Sequence, residues 1–89
     1  MRTYYEIAAM TDSVYGERAR LYYNDGKWRR LEDGDAEAFT LQSDAEIIAQ
    51  RLFDEDRASI FPFASLDVTR WDYSDEDDKL TPAVILTIK

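Results

Sequence analysis

The chain has 89 residues, 19 acidic against 11 basic, a net charge of −8, and neither Cys nor His. Those two absences exclude disulfides, thiolate nucleophiles, imidazole bases, Ser-His-Asp triads and the usual zinc ligands. The acidity disfavours free nucleic acid and anionic membranes and favours a basic partner. A hydrophobic fraction of 45% with three Gly and two Pro describes a globular chain, so one small domain over residues 1–89 is expected. No stretch has the length and apolarity of a signal-peptide core or a membrane span, which gives a cytoplasmic protein as the expectation.

In chain order, Arg2–Met10 reads as a strand rich in β-favouring Thr, Tyr and Ile, closed by a turn cluster at Thr11-Asp12-Ser13 and Gly16. Arg18–Asn24 and Lys27–Leu31 flank Asp25-Gly26, the strongest hairpin signal in the sequence. A two-residue type I′ turn pairs Tyr23 with Trp28 and Tyr22 with Arg29. Leu21, Tyr23 and Trp28 then share an apolar face, and Arg18, Arg20, Tyr22 and Arg29 share the other. A three-residue Asn24-Asp25-Gly26 loop would instead set Tyr22 against Trp28. The first register is preferred because its apolar face is cleaner.

Glu32-Asp33-Gly34-Asp35 is a second turn, and Glu37–Leu41 is either a short extra strand or the lead into a helix. Ser43-Asp44-Ala45-Glu46 has capping-box spacing. Ala45, Ile48, Ala49, Leu52 and Phe53 follow at helical spacing on one face, which predicts a buried stripe on a helix from about Asp44 to Arg57. Phe61-Pro62-Phe63 plugs a loop. Leu66–Tyr73 alternates as a strand, Ser74–Pro82 reads as a polar turn, and Ala83–Lys89 reads as a strand inside the sheet, covered on both faces. The predicted fold is α+β: an antiparallel sheet of about five strands in the order β-β-β-α-β-β, with one amphipathic helix on one face. The other face has no second helix to cover it, so its Tyr and Trp side chains are expected to be partly exposed and to form a contact surface.

Charge is unevenly distributed. Residues 18–30 carry a net of +4 and residues 31–89 a net of −10. Asp72, Asp75, Glu76, Asp77 and Asp78 crowd seven positions. The plain reading is a solvated turn, while the functional reading is an anionic contact for a Lys/Arg-lined surface, since like charges so close gain nothing for folding. Asp54, Glu55 and Asp56 fall in the last helical turn, where carboxylates oppose the macrodipole. A violation of that kind marks either a functional site or a misplaced boundary. Neither Glu32, Asp33, Asp35 and Glu37 nor Asp75, Asp77 and Asp78 has EF-hand spacing, so no metal or other cofactor is expected. The serines lack an activating base, the three glycines lie in separate turns, and the chain leaves little room for a substrate cleft, so a non-enzymatic protein is expected.

Together the short acidic Cys-free chain, the sheet with one helix and the clusters at Asp72–Asp78 and Asp54–Asp56 resemble, in type, the anti-CRISPR proteins of phages and other mobile elements. Those proteins share no common fold or motif, so no residue is carried over. What the resemblance implies is inhibition by binding, through occupation of the Lys/Arg surface that a CRISPR effector uses for DNA or RNA, in the host cytoplasm. The expected contact residues are Asp72, Asp75, Glu76, Asp77, Asp78, Asp54, Glu55 and Asp56, with Trp71, Tyr73 and Tyr22 as aromatic anchors. The partner would be a basic protein or ribonucleoprotein. The alternative is a small binding or accessory module, homo-oligomeric or not, that uses the basic aromatic hairpin 18–30 or the open sheet face.

Overall fold

The computed structural model describes residues 2–11, 20–30, 36–56 and 63–89. Five strands form one antiparallel sheet: β1 (Arg2–Met10), β2 (Arg20–Asn24), β3 (Lys27–Arg29), β4 (Ser65–Ser74) and β5 (Lys79–Ile88), in the spatial order β3-β2-β1-β4-β5. The helix α1 (Gln42–Asp56) lies across one face. This is the α+β architecture expected, with the helix in the expected place in the order.

The β2–β3 hairpin takes the preferred register. Tyr22 pairs with Arg29 and Tyr23 with Trp28. Asp25 (φ 47°) and Gly26 (φ 79°) are both left-handed, as a type I′ turn requires. A Cβ at position 26 would meet nothing within 4 Å, so the glycine is needed for its backbone angle alone. Gly26→Ala should therefore destabilise the chain by about 1 kcal/mol, read as a shift of the urea midpoint at unchanged slope.

The core lies between α1 and the upper half of the sheet. Tyr5, Ile7 and Ala9 of β1 and Leu66 and Val68 of β4 meet Ala45, Ala49 and Phe53 of the helix, with Ile48 and Leu52 half-buried beside them. The predicted helical stripe is thus the one that packs. Small residues at 45 and 49 let the helix approach the sheet, and Phe53 fills its far end. An aromatic cluster closes the β2–β3 side: Trp28 meets Tyr23 edge-on at 5.5 Å and Phe63 at 5.0 Å, and Tyr23 stacks on Phe39 at 6.4 Å. Of the predicted aromatic plugs, Phe63 serves this purpose, while Phe61 and Pro62 lie outside the described residues.

Three expectations are corrected. The run Ala83–Ile88 is not an interior strand, because β5 is the sheet edge and Val84 is 57% exposed. The reason is Pro82, which lacks an N–H and sits inside β5 opposite Trp71, a position tolerated at an edge. The polar turn is confined to residues 75–78, because β5 begins at Lys79. The helix begins at Gln42, before Ser43: the Ala45 amide donates to the Leu41 carbonyl, and Glu46 accepts from the Gln42 side chain at 3.1 Å. Of the two alternatives for Glu37–Leu41, the lead into the helix holds, and no full strand forms. Phe39 makes one bridge to Tyr5, with both amide bonds at 2.8 Å, and so continues the edge that β2 leaves open.

Candidate functional site

The acidic clusters occupy different ends of the sheet. α1 ends at Asp56, whose carboxylate accepts from the Phe63 amide just before β4. The turn 75–78 follows the far end of β4. Nine residue steps of strand separate the two ends, about 30 Å. That distance is several Debye lengths at physiological salt, so the clusters do not act as one patch.

Within each cluster the carboxylates divide by what they touch. Asp72 faces the helix side of the sheet and is held internally: the Thr3 hydroxyl donates to it at 2.7 Å and the Arg70 guanidinium at 3.2 Å. The Thr3 hydrogen bond, with Arg70 beside it, keeps its carboxyl below the usual carboxylate range against the opposing effect of desolvation. A depressed folded-state pKa supplies stability above the unfolded value, about 4, that is lost as pH falls through the folded value. Asp72→Asn should therefore be less stable than the parent at neutral pH, and the difference should close on acidification. Urea midpoints measured across that range would show it.

Asp78 closes the hairpin from a left-handed backbone position, φ 48°, and accepts a hydrogen bond from the Tyr73 hydroxyl at 2.5 Å. That bond pushes the Tyr73 phenol above its ordinary range. Asp is among the residues that tolerate this conformation, so a structural need explains its presence. Asp75, Glu76 and Asp77 remain. All three are exposed at the tip of the β4–β5 hairpin, beyond the part of the sheet that the helix covers.

At the other end, Asp54 accepts from Gln50 at 3.1 Å and Glu55 pairs with Arg51 at 3.8 Å, both one helical turn away. These two acids, with Ile47, Gln50 and Arg51, border an open depression along the outer side of the helix. Among the described residues the last turn contains no basic side chain, and Asp56 is there to cap the return of the chain at Phe63. Arg57 lies outside the described residues, as do Arg18, Glu32, Asp33 and Asp35.

The open face bears the predicted aromatics. Tyr4 and Trp71 stack at 6.4 Å and 15°, and Tyr22 and Tyr73 are half-buried on the same side. Burial first, then the charge of Glu6, raise the Tyr4 phenol above its ordinary range. On the basic hairpin, Arg20 spans to Asp67 at 3.6 Å and lies over the Tyr22 ring at 5.7 Å, so its charge is engaged within the sheet. Two features of this face escaped sequence reasoning: Glu6, 8% exposed on the central strand, and the exposed Leu80 and Val84 of β5. Alternation along Leu80-Thr81-Pro82 carried the signal for the second, obscured by reading the segment as a turn.

Among the described residues no group of three or more acidic side chains is placed to hold a metal ion, and no helix is long and apolar enough to cross a membrane. No protein family, no curated protein and no solved structure matches this chain.

Proposed function

We propose that the protein is a non-enzymatic binder that inserts the tip of its β4–β5 hairpin into a Lys/Arg-lined surface of a nucleic-acid-handling protein. The observation that carries this reading is that Asp75, Glu76 and Asp77 are exposed together on a four-residue turn fixed by Asp78 and Tyr73. A hairpin that carries three carboxylates on consecutive exposed residues concentrates negative charge, as a phosphate backbone does, without the entropy of a loose chain. Cationic partners would be steered to it, and the attraction would weaken with salt. In its specific form the reading is an anti-CRISPR that occupies the DNA or RNA channel of a CRISPR effector, supported by small size, acidity and this tip.

Affinity capture with the tagged chain from a host lysate, washed at low and then high salt, tests it. A basic nucleic-acid-handling protein that is released by salt and is missing when the tip is neutralised supports the reading. Retention of the same proteins by the neutralised chain overturns it.

A further inference from the structure

Below the helix the sheet inverts its polarity. In its upper half the helix side is apolar, with Ile7, Ala9, Leu66 and Val68 fully buried. Below the row Tyr5–Arg70–Ala83, where Tyr5 still belongs to the core, that side carries Thr3, Asp72 and Thr81, and the large apolar residues lie on the open side. Three cross-strand rows make up that open half: Arg2–Tyr73–Leu80, Tyr4–Trp71–Pro82 and Glu6–Thr69–Val84. Leu80 is 43% and Val84 57% exposed. A strand pattern that turns its apolar side away from its own helix needs another surface to cover it.

We infer that this half-face packs on the same patch of a second copy of the chain, sheet against sheet with strands antiparallel, to form a two-fold dimer. The rows themselves select the occupant. When the Tyr4–Trp71–Pro82 row is centred on its own counterpart, two-fold symmetry sets the Arg2 row of one chain opposite the Glu6 row of the other. Arg2 then faces Glu6 and Leu80 faces Val84, twice each. Among the described residues Glu6 has no cation paired with it, although it is 8% exposed. The same packing sends each acidic tip toward the far end of the partner sheet, where Lys89 follows β5, whereas parallel packing would bring the two tips together. Trp71 Nε1, buried and without a hydrogen-bond partner, lies in the central row of the contact, and Thr69 Oγ1, buried and likewise without one, lies in the adjoining row that faces the Arg2 row.

Sedimentation equilibrium over a wide concentration range tests the inference, with far-UV circular dichroism to verify folding. The parent chain should reach dimer mass. Val84→Arg and Leu80→Lys should each weaken self-association by roughly tenfold or more, and so should Arg2→Glu, an exposed site with no role in the core. Edge-to-edge pairing through β5 would be indifferent to Arg2→Glu, and that result overturns the proposal, as does a parent chain that stays monomeric throughout. For the unsubstituted chain, NMR signals of Tyr4, Trp71 and Val84 should move with concentration while those of the outer face of α1 stay fixed. The reverse pattern also overturns it.

Discussion

Leu66→Ala should lower the melting temperature by roughly 10–40 °C, the consequence of a loss of about 2–5 kcal/mol. Leu66 is fully buried on β4, between Ala9 of β1 and Ile88 of β5, under the helix face formed by Ala45, Ala49 and Phe53. Its neighbours on both sheet and helix include alanines, which have no side chain to swing into a cavity. The site therefore collapses poorly, and the cost belongs toward the upper part of that range. A domain of this size has about 5–13 kcal/mol in total, so the variant approaches the threshold of folding. Ile47→Ala supplies the contrast. Ile47 is 69% exposed on the outer side of the helix, and alanine is the better helix former, so its change should stay within about 0.5 kcal/mol. Thermal melts of the two variants side by side decide the matter: equal melting temperatures would mean that β4 does not line the core.

The features legible in the sequence were those set by neighbours along the chain. Asp25-Gly26 fixes a two-residue turn because two consecutive left-handed residues are needed there, and the register follows from it. The spacing of Ala45, Ala49 and Phe53 fixes the helix face for the same kind of local reason. What failed was strand position within the sheet. Ala83–Ile88 has the composition of an interior strand, and only Pro82, just before it, reports that one side of β5 is unpaired. The acidic site was partly legible. Sequence identifies Asp72 as one of a crowd, but its partner Thr3 is 69 positions away and nothing local announces it. Asp56 likewise reads as a violation of the helix dipole until the chain returns to present the Phe63 amide. Local chemistry locates charge, and tertiary pairing decides which charges remain available.

That division sets the second large effect. Asp75→Asn, Glu76→Gln and Asp77→Asn combined should weaken partner binding by about tenfold to a hundredfold and leave the melting temperature nearly unchanged. The estimate takes about 0.5–1 kcal/mol for each carboxylate that meets a lysine or arginine at an exposed rim. Most of the loss should fall on the association rate, because steering acts before contact, and the parent's steep salt dependence should flatten in the variant. Stability is spared because these three side chains are exposed and removal of their mutual repulsion offsets any lost local contact. The matched control neutralises Asp56, Asp72 and Asp78, three acids that hold the Phe63 amide, Thr3 with Arg70, and the Tyr73 hydroxyl. That set should lower the melting temperature while the tip charges persist. Binding kinetics on the captured partner, taken at two salt concentrations, separate the sets. If the tip variant binds at the parental rate and the control does not, the contact lies elsewhere on the molecule and the tip is a solvated turn.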